Sequence, residues 1–324
     1  MRLQTVFLIV LSVLVSTAFT QQNPGPVMIQ NQTGALLTGT ANVRQRAERG
    51  DAEAQYTLGH DYLVGAGVPQ SQKQGAEWYA AAAAQGLAQA QFALGYLYEQ
   101  GEGVGKDYHQ AATYYRAAAE QSHATAENNL ASLYQHGRGV PKDLDQAIYW
   151  YRRSAQHGDP TGQCNLASLY FTGEGIPKDD GAAVRWFRAA AEQGLPAAQT
   201  NLAFMYYHGR GVPLDYAQAA IWTRRAAEQG YAPAQTDLGY LYEQGKGVPL
   251  DYVTAYAWYS RAAEAGDDRG TSRMKNISRV MTRAQLAAAI IRSAALPGPE
   301  KSPQEPGANP AAFTIRRPSP LGNR

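Results

Sequence analysis

The stretch from Gly194 to Gln229 reads GLPAAQTNLAFMYYHGRGVPLDYAQAAIWTRRAAEQ, and the same pattern is written six times in this chain of 324 residues. The copies begin at Gly50, Gly86, Ser122, Gly158, Gly194 and Gly230, always thirty-six residues apart and without an insertion or deletion. A fixed period of this length marks a chain of stacked supersecondary units, each unable to bury its apolar face alone.

Inside each copy the spacing predicts two antiparallel helices. In the first, Ala54, Ala90, Ala126, Gly162, Ala198 and Ala234 are followed four residues on by Leu58, Leu94, Leu130, Leu166, Leu202 and Leu238, and four further on by Tyr62, Tyr98, Tyr134, Tyr170, Tyr206 and Tyr242. A spacing of four holds one helical face. Gly or Ala directly after each Leu lets a neighbouring helix approach. The first helix should end at Gly65, Gly101, Gly137, Gly173, Gly209 or Gly245, where a positive φ can cap it. Behind Asp107, Asp143, Asp179, Asp215 and Asp251 the second helix begins, each carboxylate placed as an N-cap, with Ser71 in the first copy. All five tryptophans (78, 150, 186, 222, 258) fall at one address of this second helix, with Tyr114 in the remaining copy. Recurrence at a fixed address marks packing rather than an aromatic cofactor box.

The pattern A-x-x-x-L-G-x-x-Y-x-x-G-x-G-V-P-x-D-x-x-x-A-x-x-W-Y-x-x-A-A-x-x-G resembles the Sel-one-like repeat, a relative of the tetratricopeptide repeat. The resemblance implies an all-α fold, a right-handed α-solenoid of stacked antiparallel helix hairpins used as an adaptor surface for other proteins. Six repeats (50–85, 86–121, 122–157, 158–193, 194–229 and 230–265) would be closed by an N-terminal capping helix over 41–49 and a degenerate C-terminal capping hairpin over 266–296. Atypical ends are what a solenoid needs, because every inner repeat leaves an apolar face for its neighbour.

Removing the recurrent core positions leaves a variable stripe on the first helices, and alignment with the tetratricopeptide pattern assigns it to a concave groove. The candidate partner-binding residues are Tyr56, His60, Phe92, Tyr96, Asn129, Asn165, Asn201, Phe204, Tyr207, His208, Asp237 and Tyr240. Asn129, Asn165 and Asn201 share one address, where the related repeat often uses Asn to bind an extended peptide backbone; an amide offers both donor and acceptor. Gln89, Thr125, Thr161 and Ala197 stand where a carboxylate clamp would need Lys or Arg, so an internal peptide segment is expected rather than a free C-terminus. Stacking of the aromatics on sugar rings gives the alternative, a structural protein of the cell envelope that binds peptidoglycan or other glycans.

Nothing in the pattern points to an enzyme, a cofactor or a metal. The six histidines show no metal-ligand spacing, and the run Gly101–Lys106 is one copy of the recurrent turn rather than a phosphate loop. Cys164 is the single cysteine, so the disulfide pairs of family members linked to β-lactams are missing. The repeats hold fifteen Lys/Arg against twenty-two Asp/Glu, a net of −7, while the flanks are net +9. An acidic array argues against nucleic acid as partner.

Residues 1–18 read as a secretory signal peptide, with Arg2, an apolar run and small residues before a cut after Ala18. The run is about half the roughly twenty residues a spanning helix needs, so no stable membrane span is expected after cleavage. Residues 19–40 read as a flexible linker, and 297–324, with seven prolines, as a disordered tail. Together these features predict an exported monomer of the bacterial periplasm or exterior, or alternatively of a eukaryotic secretory lumen.

Overall fold

The structure, a computed structural model, describes residues 29–30, 36–37 and 39–298. The expected signal peptide, most of the linker and the chain from 299 onward lie outside the described residues. Ahead of the helices, β1 (Ile29–Gln30) pairs antiparallel with β2 (Leu36–Leu37), Ile29 opposite Leu37.

Helix α1 (Gly39–Glu48) opens the array. Six pairs follow: α2 (Ala52–Val64) with α3 (Gln72–Ala84), α4 (Ala88–Gln100) with α5 (Tyr108–Glu120), and α6 (Ala124–His136) with α7 (Leu144–Gln156). Then come α8 (Pro160–Thr172) with α9 (Asp180–Glu192), α10 (Pro196–His208) with α11 (Tyr216–Glu228), and α12 (Ala232–Gln244) with α13 (Tyr252–Glu264). Each first helix packs on its own second helix, and each second helix on the first helix of the next pair. That serial packing makes an α-solenoid. Successive first helices also touch directly, as α6 with α8 and α10 with α12.

The boundaries follow from local chemistry. Gly65, Gly101, Gly137, Gly173, Gly209 and Gly245 end the first helices in the left-handed conformation, with φ between 62° and 82°. Asp107, Asp143, Asp179, Asp215 and Asp251 each accept a backbone N–H at the start of the second helix, and Ser71 does so in the first pair. The second glycine of each turn answers to tertiary contact. A Cβ on Gly139 would lie 2.2 Å from the Tyr108 carbonyl, so the turn of one repeat seats on the start of the preceding second helix.

The Leu row (Leu58, Leu94, Leu130, Leu166, Leu202, Leu238) is completely enclosed, and each such side chain contributes about 1.5–3 kcal/mol of burial. The tryptophan row is less uniform: Trp150, Trp222 and Trp258 are buried, but Trp78 and Trp186 keep some exposure. The deeper aromatic row lies one residue further on, at Tyr79, Tyr115, Tyr151, Phe187 and Tyr259. Its depth comes from the small residue on the facing helix. A Cβ on Gly59 would stand 2.7 Å from the Tyr79 ring, so the ring fills the space the glycine leaves.

A buried amide rung joins the repeats. Gln55 Nε2 donates to the Ala47 carbonyl at 3.1 Å while its Oε1 accepts from Gln85 at 2.7 Å. Gln91, Gln163 and Gln199 repeat both bonds, to Ala83, Ala155 and Ala191 and from Gln121, Gln193 and Gln229. The third repeat departs: Glu127, fully buried, faces Arg153 at 2.9 Å and His157 at 2.7 Å. Arg153 Nη2 then donates to the Ala119 carbonyl in the amide's place.

The ends depart from the repeat in different ways. Helix α1 stands where a preceding second helix would, and Arg44 donates to the Tyr62 hydroxyl as Arg116 does to Tyr134. At the other end α14 (Asp268–Ser278) packs on α13 like a regular first helix. However, α15 (Arg283–Ala294), opened by a Thr282–Gln285 capping box, lies along α13 rather than along α14, so the closing helices do not pack as a hairpin. The turn explains this, since residues 279–282 replace the seven-residue turn of the repeats.

Two substitutions test this packing. Phe187→Ala should cost about 3–5 kcal/mol and Trp186→Ala clearly less, read from urea denaturation; the reverse order would mean that the ring seated on the small residue is not the core anchor. Ser122 is the one non-glycine with positive φ among the described residues, at 64°. Ser122→Gly should therefore raise stability by about 0.5–1 kcal/mol, and an unchanged or lower denaturation midpoint would contradict strain at that turn.

Candidate functional site

The candidate residues all stand on first helices, and the packing of those helices sorts them. Four consecutive residues of a helix point in different directions, so where first helices touch one another some addresses become internal. Asn129, Asn165 and Asn201 are such cases, at 1%, 6% and 0% exposure. Asn165 Nδ2 donates 2.8 Å to Asn128 Oδ1, and Asn128 Nδ2 donates 3.1 Å to Asn129 Oδ1. One repeat on, Asn201 Nδ2 reaches Cys164 Sγ at 3.8 Å, with the same offset of thirty-seven residues. Asn165 and Asn201 therefore tie neighbouring first helices to each other, Asn129 holds Asn128 in place for that contact, and none of the three stands open to a peptide backbone. Their expected role is corrected by that burial: an amide whose donors and acceptor are already inside the stack is not available to a ligand. Asp237 is likewise withdrawn, almost buried and 3.6 Å from Arg269.

The aromatic candidates keep partial exposure and fall into two groups on either side of this polar seam. Tyr56, His60, Phe92 and Tyr96 belong to α2 and α4, and all four are half-buried. Tyr56 stacks on Tyr79 with centroids 5.2 Å apart, and Phe92 stacks on His123 at 4.6 Å. Burial pushes the Tyr96 phenol up, with the Glu102 and Glu99 carboxylates adding to it.

Phe204, Tyr207, His208 and Tyr240 form the second group, on α10 and α12. Phe204 meets Phe171 edge-on at 5.8 Å and His208 at 4.4 Å; Tyr207 meets His208 at 4.9 Å and Tyr216 at 5.1 Å. With the side-chain hydrogen bond between Tyr207 and Tyr240, these contacts make one aromatic surface across three repeats. Cations border it, because Arg210 lies 4.0 Å over the Phe171 ring, Lys246 4.9 Å over Tyr207 and Arg273 4.5 Å over Tyr240. Burial raises the Tyr207 and Tyr240 phenols, which stay protonated donors.

The bordering cations were not among the candidates read from the sequence. For Arg210 and Lys246 the signal was available: the residue between the two turn glycines varies as Ala66, Glu102, Arg138, Glu174, Arg210 and Lys246 inside an otherwise recurrent turn. That address sits against the start of the preceding second helix, as the seating of Gly139 on Tyr108 shows.

Cys164 is completely enclosed, and burial pushes its thiol up to about 12 despite the Asn201 contact. A thiol held that high is neutral at physiological pH and a poor nucleophile. In the folded chain at pH 8, Cys164 should stay unlabelled by Ellman's reagent and react only on addition of denaturant. Stoichiometric labelling of the folded chain within minutes would show the seam to be open. Among the described residues no group of three or more His, Cys, Asp and Glu is placed to hold a metal ion, and no helix is long and apolar enough to cross a membrane.

The Sel1 repeat model matches the chain six times in succession, over residues 52–87, 88–123, 124–159, 160–195, 196–231 and 232–267. Among solved structures, the chain is similar to a protective antigen present in uropathogenic Escherichia coli strains that displays an SLR fold. The two are 40% identical with a TM-score of 0.74, over 79% of this chain and 55% of that one. This chain thus spans about half the length of that antigen. A Sel1 repeat protein from Oxalobacter formigenes is 32% identical with a TM-score of 0.62, covering 69% of this chain and 96% of that one. No curated protein matches the chain. With the repeat model covering two thirds of its residues and the helices stacked pair on pair, the chain belongs to the Sel1 repeat family, whose members are in general non-catalytic scaffolds for protein interaction.

Proposed function

We propose that this protein is an exported adaptor that binds a segment of a partner protein along its first helices. The observation that carries this reading is the pair of half-exposed aromatic groups on that face, Tyr56–Phe92–Tyr96 and Phe204–Tyr207–Tyr240, at addresses that vary from repeat to repeat. Rigid aromatics supply contact area at low entropic cost, which is why they concentrate binding energy at interfaces. Successive first helices pack directly on one another, which supports a ligand that touches several repeats at once along that layer. Export rests on the reading of residues 1–18 as a cleaved signal peptide, and places the adaptor in a bacterial periplasm or outside the cell. Contacts within a solenoid are made between neighbouring repeats of one chain, so the working form is a monomer.

Proximity labelling in the native host with the wild-type chain and the Phe204→Ala/Tyr240→Ala variant tests the reading. The double variant should lose its partner by at least about tenfold in affinity, on the scale of two interface aromatics, while keeping the helical circular dichroism of the folded array at the assay temperature. Undiminished partner binding by the variant would refute the role of this face. Saturable binding of peptidoglycan fragments with no protein partner recovered would replace the adaptor reading by that of an envelope protein.

A further inference from the structure

The turn cations on the second aromatic group differ in one respect that the repeat makes visible. The residue between the turn glycines meets the first residue of the preceding second helix at Arg138 against Tyr108, at Arg210 against Asp180 and at Lys246 against Tyr216. In one case the pair is Arg210 and Asp180, joined by two hydrogen bonds of 2.9 Å, so the guanidinium is neutralised within the array. One repeat further on the same two addresses hold Lys246 and Tyr216. The counter-charge has been exchanged for a ring. Lys246 Nζ lies 5.0 Å from the Tyr216 ring and 4.9 Å from the Tyr207 ring, and donates 2.7 Å to the Tyr207 hydroxyl. Among the described residues no carboxylate stands within ion-pair distance of it, whereas neighbouring Arg273 is paired with Glu243 at 3.2 Å.

An ammonium has three donors and one is used here. Two rings shield it from water on one side, which strengthens its interaction with any anion that approaches from the other. Beside it lies the apolar surface made by Phe204, Tyr207 and Tyr240. Three first helices about 8–10 Å apart offer roughly 20 Å of surface, the length of about six residues of extended chain.

We infer that Lys246 is an anchor for an acidic side chain, so that this end of the face takes an extended peptide in which Asp or Glu stands next to apolar or aromatic residues. The carboxylate sits on Lys246 Nζ and the apolar neighbours cover Phe204 and Tyr240. This deepens the adaptor reading and rests on it. In an array that carries a net charge of −7, a cation without a carboxylate partner also favours an acidic segment at this end over the repeats that carry a carboxylate at the same turn address, Glu102 and Glu174.

The test uses the full chain and fluorescein-labelled octapeptides with a central Glu or Asp flanked by Phe, Leu and Pro, together with the same peptides carrying Gln or Asn instead. Anisotropy titrations at two salt concentrations should show the acidic peptides binding at least about tenfold more tightly than their amide counterparts, with the margin shrinking at high salt. Lys246→Met should erase the margin and Lys246→Arg should retain part of it, both with an unchanged melting temperature. Equal binding of acidic and amide peptides, or a margin that survives in Lys246→Met, overturns this assignment and leaves the adaptor reading standing. Binding of peptidoglycan fragments by a chain that takes no peptide of the panel overturns both.

Discussion

In four of the six repeats a glutamine amide, with both its bonds made, ties the repeat to the helix before it. Its nitrogen reaches back to a carbonyl near the end of the preceding second helix, and its oxygen accepts the amide that ends its own repeat, as at Gln55 with Ala47 and Gln85. Both groups are taken from water, and an amide buried without these partners would cost about 1–3 kcal/mol. The bonds span eight residues one way and thirty the other. An insertion anywhere between would move one partner while leaving the other, so a strict period of thirty-six is a condition of keeping the rung. Gly59 against the Tyr79 ring and Gly139 against the Tyr108 carbonyl impose the same condition sterically, because neither contact leaves room for a methyl group.

The exception in the third repeat obeys the same logic with charges. A carboxylate at Glu127 cannot donate, so the carbonyl of Ala119 takes its hydrogen bond from Arg153, which also faces the carboxylate. His157 completes the arrangement at the address where the other repeats end in Gln. The substitutions at 127, 153 and 157 form one unit. Removing Arg153 alone would strand a fully buried carboxylate, a costlier state than the loss of a neutral rung.

The fold was legible because each of its determinants recurs: the Leu row, the turn glycines and the Asp caps all read directly as helix faces and helix ends. The site was legible only in part. Phe204, Tyr207 and Tyr240 declared themselves by varying at otherwise regular addresses, but variation alone did not separate an open address from one closed by the next helix. Asn165 and Asn201 vary little among neighbours and sit inside, because the distance between successive first helices decides their exposure and that distance is a property of the stack. The anchoring of the chain beyond the sixth repeat was hidden for a similar reason. Nothing local to Arg283–Ala294 says whether the helix returns along α14 or along α13.

That return has a consequence for how the molecule can be held. Ala265 stands where the other repeats place Gln or His, so the Gln235 oxygen receives no donor from it, and the Gln235 amide nitrogen donates both to the Ala227 carbonyl and to the Pro297 carbonyl, which Arg261 also holds at 3.0 Å. Leu296 packs beside Trp258 in the same place. The polypeptide is therefore clamped at Pro297 by side chains of the last full repeat, so tension applied there would be borne by α12 and α13 together.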